Sequence, residues 1–280
     1  MNAVEIKNVR KEYPGFYLGP LDLVLPSGCI LGLVGENGAG KSTTIKLILD
    51  MIRPKDGSIT VLGRDNRKDL HLTKEDIGVV LDDVGIPDCL DTTQVGKVMS
   101  GIYRNWDQQV YNDYLDRLSI PKGKAFKDFS RGNKMKLGIA IALSHGAKLL
   151  ILDEATSGLD PVVRDEVVTL FHEFTRDPGH SVLISSHIVS DLEKLCDYIA
   201  FLHQGKLLLL EEKDVLLGDY AIVHGTTQQL SAIDPAAVIG SKANAYGGEM
   251  LVKRSAVPND MAASPITIEE LFLFMIKEAK

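Results

Sequence analysis

Nine consecutive residues, Gly35-Glu36-Asn37-Gly38-Ala39-Gly40-Lys41-Ser42-Thr43, have the types and spacing to hold a chain of phosphates. Gly35, Gly38 and Gly40 let the backbone turn tightly enough for successive N–H groups to point inward at an anion. A helix starting at Lys41 adds its unpaired N-terminal donors and partial positive charge. The Lys41 ammonium can reach the outer phosphates, and the Ser42 hydroxyl can bind Mg²⁺. Farther along, Asp153-Glu154 directly follow the apolar run Leu149-Leu150-Ile151-Leu152. Ligands of open α/β sheets bind at the carboxyl ends of the strands, where Asp153 can hold the Mg²⁺ shell and Glu154 can polarise an attacking water. The bland readings are a glycine turn before a helix and acids that merely end a strand. The two motifs occurring together, each in the right flanking context, outweigh them. A phosphate loop alone still leaves kinases, GTPases and ATPases open.

The elements needed to position these groups are legible in the apolar pattern. Residues 29–34 predict a strand ahead of the loop, and a helix from 41 to about 51 follows it. Before them Val4, Ile6 and Val9, then Leu21, Leu23 and Leu25, alternate as antiparallel strands do, with Tyr13, Phe16 and Tyr17 in the connection. Residues 58–62 and 77–81 add apolar strand runs. From about Asp91 to Gly146 helical spacing takes over, which predicts a helical insertion closed by a helix that Ser130 caps. Strand 149–152, a helix from Asp160-Pro161 to about 176, strand 181–185, helix 189–196 and strand 198–202 then alternate. That order implies an α/β fold with a mainly parallel sheet. Beyond Gly218 the pattern predicts a small α+β appendix: strands at 221–223 and 250–252, a helix near Gln228 and a turn at Tyr246-Gly247-Gly248. A last helix is opened by a Thr267/Glu270 capping box and carries Leu271, Phe272, Phe274 and Met275. The expected domains are 1–217, with a helical subdomain at about 91–146, and 218–280.

Composition narrows the classes. A chain of 280 residues, 45% hydrophobic, can bury a sizeable core. No apolar run is long enough to cross a bilayer and the N-terminus shows no secretory pattern, so a cytoplasmic protein is expected. A formal net charge of -7 argues against general binding to nucleic acid or an anionic membrane by charge alone. Any membrane association would come through a protein partner. Cys29, Cys89 and Cys196 are odd in number and far apart, and read as buried or idle thiols. His145, His172, His180 and His203 lack metal-ligand spacing and read as surface or turn residues. Tyr103, Trp106 and Tyr111 read as helix-packing aromatics. Lys122, Lys124 and Lys127 read as a solvated basic stretch.

Taken in order, these motifs and four further features resemble the ATP-binding cassette family, specifically the ATPase subunits of transporters, over about residues 1–215. Phe129-Ser130-Arg131-Gly132-Asn133 stands where that family has its signature motif, usually Leu-Ser-Gly-Gly-Gln. Ser157-Gly158-Leu159-Asp160 is similar to the D-loop, His187 to the switch histidine, and Tyr13 to the aromatic residue that stacks on adenine. The resemblance implies a P-loop NTPase fold of ABC type: an N-terminal antiparallel β subdomain, a mainly parallel core sheet, a helical insertion and the appendix. It implies that two subunits sandwich two ATP molecules head to tail, with Ser130, Gly132, Asn133 and Asp160 approaching the nucleotide of the other subunit. Glu154 is the implied base, His187 bridges the γ-phosphate, and Mg²⁺ is held by Ser42, Asp82 and Asp153. The implied partners are a second copy or a paralogous ATPase and a separate transmembrane permease at the inner face of the cell membrane. The insertion and the loop containing Asp82 form the groove that grips the permease.

Departures from the pattern are specific. Asp82 replaces the family's glutamine, adding charge and removing an amide donor. Arg131, Asn133 and Ala155 also leave the consensus. Asn105-Trp106-Asp107 and the leucine-rich segment ending Leu210-Glu211-Glu212 resemble the multidrug or antibiotic-export branch. A soluble cassette acting as a clamp on a macromolecular assembly is the alternative. One copy of each motif, net acidity and the lack of sustained heptads weigh against it. A small-molecule kinase or GTPase would leave Ser130-Arg131-Gly132 and His187 without a role.

Overall fold

A computed structural model describes residues 1–82, 84–156, 158–244, 247–258 and 261–278. The chain opens as a hairpin of β1 (Asn2–Tyr13) and β2 (Phe16–Pro26). Only Pro14 and Gly15 connect them, Gly15 taking φ 79°, so Tyr13, Phe16 and Tyr17 are strand residues rather than loop. This hairpin grows into a four-stranded antiparallel sheet by adding β4 (Asp56–Val61) beside β1 and β5 (Arg64–Asp65) beside β4.

The central sheet is built from β3 (Ile30–Gly35), β6 (Ile77–Val80), β7 (Leu149–Asp153), β8 (Ser181–Ser186), β9 (Tyr198–His203) and β10 (Lys206–Glu212). Its order is β10-β9-β3-β8-β7-β6, parallel throughout except that β10 returns antiparallel to β9. Because side chains alternate across a strand, an unbroken apolar run must be covered on both faces. That is observed: Leu31, Leu33, Leu149, Ile151 and Leu183 face the antiparallel sheet and α1 (Lys41–Ile48). Ile30, Val34, Leu150, Leu152, Val182 and Ile184 face the other helices.

The helix after the phosphate loop ends three residues before the expected 51. The side-chain amide of buried Asn66 donates to Leu47 O at 2.8 Å and Ile48 O at 2.9 Å, satisfying its last carbonyls from a distant loop. After the short α2 (Leu70–Thr73), the insertion is formed by α3 (Thr92–Ile102), α4 (Gln108–Arg117) and α5 (Arg131–Leu143). Asp91 caps α3 with Gln94 in a reciprocal box, and Ser130 Oγ accepts from Asn133 N–H at 3.2 Å to start α5. Asp160 caps α6 (Pro161–Phe174), with Pro161 in its first turn. The helix α7 (Val189–Leu195) crosses back after β8.

The helix α8 (Lys213–Asp219) leads into the appendix, a sheet of β11 (Tyr220–Gly225), β12 (Val238–Asn244), β13 (Gly247–Lys253) and β14 (Ala263–Ser264), ordered β12-β13-β11-β14. Between β11 and β12 lies α9 (Thr227–Leu230). The last helix, α10 (Ile268–Glu278), carries the expected capping box at Thr267 and Glu270 and packs on β12 and α7. Its Phe272 ring meets Phe201 of β9 at 5.2 Å, so the appendix shares one continuous core with the central sheet. Ser157 of the expected D-loop and Tyr246 of the expected turn lie outside the described residues.

Two of the histidines read as surface or turn residues are buried. His203 is 3% exposed at the end of β9, and His145 is fully enclosed, stacked on Tyr103 at 4.0 Å with Nδ1 donating to Glu75 O at 3.1 Å. Burial lowers the His145 pKa below its usual 6.5, and Nε2 has no partner for a second proton. The neutral ring is therefore the folded form, and its contribution to stability is present above the unfolded value of 6.5 and lost as pH falls below it through the lowered folded value. Denaturant midpoints should drop between pH 7.5 and 5.5 in the native chain and drop less in His145→Phe. An equal drop in both would remove His145 as a source of acid sensitivity.

Candidate active site

The phosphate loop, the paired acids and His187 all hang from the carboxyl ends of parallel strands. The phosphate loop follows β3, Asp153 and Glu154 end β7, and His187 follows β8. Because β3, β8 and β7 are neighbours in that order, these groups converge on one cavity of about 730 Å³. Asn37, Gly38, Gly40, Lys41, Ser42, Thr43, Asp153, Glu154 and His187 line it together with Glu36, Asp82, Arg131 and Phe16.

The loop is shaped by its glycines. Gly38 and Gly40 have φ of 82° and 113°, a region that only glycine enters without strain, and a Cβ on Gly35 would stand 2.5 Å from Leu202 O. Gly35 and Ala39 are buried shoulders of the loop and do not reach the cavity wall. Lys41, 5% exposed, donates to Gly35 O at 2.7 Å and Glu36 O at 3.3 Å, so its ammonium lies across the loop's concave side.

Glu154 takes φ 55°, a left-handed conformation uncommon outside glycine. Its backbone N–H donates to Ser185 O at 3.1 Å and Ser185 Oγ at 3.2 Å, and the Ser185 hydroxyl in turn donates to Asp153. The two acids are thereby aimed apart: Asp153 stays 5% exposed against β8, and Glu154 turns into the cavity. There the Glu154 carboxylate lies 3.4 Å from Lys41 Nζ and 2.6 Å from His187 Nδ1. A lysine, a carboxylate and an imidazole thus stand in line, each within reach of the next.

Several expected residues lie elsewhere. Tyr13 sits at the end of β1, 41% exposed with the Lys11 ammonium 5.2 Å from its ring centre, and it does not line the cavity. Phe16, the first residue of β2, does. Strand alternation from the tight Pro14-Gly15 turn was the signal for it. Ser130, Gly132, Asn133 and Asp160 do not line the cavity, and a Cβ on Gly132 would come within 3.3 Å of Gly158 O. Asp82 is in the cavity wall, paired with Arg131 rather than standing free for a metal. Along the chain Arg131 reads as part of the signature region and a departure from its consensus, with no local sign of the pairing to Asp82.

Residues 18–157 match the family model described as ABC transporter. The chain belongs to that family. The bacitracin transport ATP-binding protein BcrA of Enterococcus faecalis is 32% identical over 211 residues, 74% of this chain and 68% of that protein. The lantibiotic transport ATP-binding protein SrtF of Streptococcus pyogenes is 36% identical over 216 residues, 75% of this chain and 91% of that protein. A solved ATP-binding subunit of an ABC transporter superposes with a TM-score of 0.69 at 25% identity, covering 76% of this chain and 90% of that one. The dimeric post-hydrolysis cassette MJ0796, bound to ADP and Pi, shares the fold with a TM-score of 0.68 at 22% identity, covering 75% and 98%. The chain is accordingly an ATP-binding and ATP-hydrolysing subunit of an ABC transporter. No described helix is long and apolar enough to cross a membrane.

Proposed function

We propose that this ABC ATPase drives export of an antibiotic-type cargo through a separate permease, working as a head-to-tail dimer with a second copy or a paralogue. The observation that carries the ATP chemistry is the Lys41–Glu154–His187 line inside the cavity. The loop N–H groups and Lys41 bind the phosphates, and Phe16 or Tyr13 takes the base face. Glu154 removes a proton from water as that water bonds to the γ-phosphorus. The bond to the β–γ bridging oxygen breaks, and ADP leaves with its electron pair. His187, held by Glu154, orients the γ-phosphate oxygens. Ser130, Gly132, Asn133 and Asp160 face outward to meet the nucleotide of the other subunit.

The walls also fit a divalent cation. Glu36, Asp82, Asp153 and Glu154 outnumber the cations Lys41 and Arg131, so a polyanionic triphosphate needs further positive charge to enter. The Ser42 hydroxyl and the Asp153 carboxylate supply the hard oxygens that Mg²⁺ prefers, with Asp82 beside them. When bound there it neutralises charge that builds on the leaving phosphate oxygens.

Export is supported by relatives named for bacitracin and lantibiotic transport. Docking to a permease at the inner membrane face is supported by an apolar groove of about 410 Å³ between the sheet and the insertion. Met51 (55% exposed), Val79 (37%) and Ile102 (58%) present large side chains to solvent there, a patch suited to a partner's helix. Residues 1–217 act as the cassette and 218–280 as an accessory unit. Affinity purification of the tagged chain from detergent-solubilised membranes should recover a polytopic membrane protein in fixed ratio. Recovery only from the aqueous fraction, with ribosomes or nucleic acid, would replace transport by the clamp function.

A further inference from the structure

The loop after β6 and the first turn of α5 each depart from the family pattern, and the two departures touch. Arg131 Nη2 donates to Asp82 Oδ1, and both side chains line the nucleotide cavity of this same chain. The stem of Arg131 lies along Gly158, whose added Cβ would stand 3.3 Å from Arg131 Cδ, so the fork is approached from the α6 side as well. Among the described residues the guanidinium has no other hydrogen-bond partner. Lys41, the other cation of the wall, is already committed to Gly35 O, Glu36 O and Glu154. Among the described residues Arg131 is the ion-pair partner of Asp82.

We propose that Asp82 and Arg131 act as one charge-compensating unit in the cis nucleotide site, with Arg131 a positioning residue that cancels the repulsion between Asp82 and the incoming triphosphate. It also ties the loop after β6 to the insertion, so that loop and α5 meet the nucleotide in a fixed relation. This rests on the ATP site described above. The two side chains are 57% and 59% exposed, and an exposed pair contributes little to folding. Its effect belongs to ligand binding.

The test is ATP affinity by titration calorimetry on the full chain in EDTA, where no cation occupies the Asp82 carboxylate. Arg131→Gln should weaken ATP about fivefold, and Arg131→Lys by no more than about twofold. The double variant Asp82→Asn with Arg131→Gln should return to within about twofold of the native chain, with all three unfolding at the native temperature. Equal weakening by Arg131→Gln with and without Asp82→Asn would overturn the unit. So would unchanged affinity in Arg131→Gln accompanied by loss of ATP-dependent self-association, which would assign the guanidinium to the partner's nucleotide. If Lys41→Ala weakens ATP and Arg131→Gln does not, the pair fails while the ATP site stands. If the native chain binds no ATP, both fall.

Discussion

Glu154→Gln is expected to lower ATP turnover by about 10²–10⁴-fold while ATP still binds, because the amide keeps the shape of the carboxylate and loses its basicity. The geometry makes the substitution a clean one. The Glu154 backbone is held by its bonds to Ser185 and by the strand end, so the chain path should survive the change of side chain. One carboxylate oxygen sits 2.6 Å from His187 Nδ1, and an amide oxygen can accept that same bond. A single-turnover assay with a coupled phosphate readout, alongside calorimetric ATP binding, separates the two effects. Turnover close to native would move the base elsewhere. Loss of binding together with turnover would mean that Glu154 is structural.

Lys41→Ala is expected to weaken ATP by about 10–10²-fold, the worth of one or two charge-assisted hydrogen bonds, and to abolish measurable hydrolysis. Its ammonium, 5% exposed, bridges the carbonyls of the loop to Glu154. Removing it deletes the phosphate-facing charge and leaves Glu154 with one fewer compensating cation. Titration calorimetry measures the first effect and a circular-dichroism melt checks that the fold persists. An affinity within about twofold of native would mean that the backbone donors alone bind the phosphates.

The acids and the loop were legible because their positions depend on local chain geometry. A glycine loop between a strand and a helix, and acids at the end of an unbroken apolar run, each announce a strand end. Strand ends of a parallel sheet point the same way. The alternation of strand and helix was legible for the same reason, as was the capping of α5, α6 and α10 by Ser130, Asp160 and Thr267. Helix ends set by distant groups were not, as the termination of α1 by Asn66 shows. Neither was β12, whose segment Val238–Asn244 reads weakly until β13 pairs with it.

By itself the sequence determined that this chain handles nucleoside triphosphate, since the phosphate loop, the paired acids, the signature region and His187 are residue types at fixed local offsets. The tertiary structure decided what those residues meet. Sheet order brings His187 and Lys41 to either side of Glu154, and a β-turn of two residues places Phe16 at the cavity where Tyr13 does not line it. Folding of the insertion sets Arg131 on Asp82, 49 residues earlier in the chain. His145 and His203 look polar along the chain and are buried in space. Such contacts depend on elements far apart in sequence packing to a common core. No local offset encodes them, because the free energy that fixes them is the burial of the whole sheet.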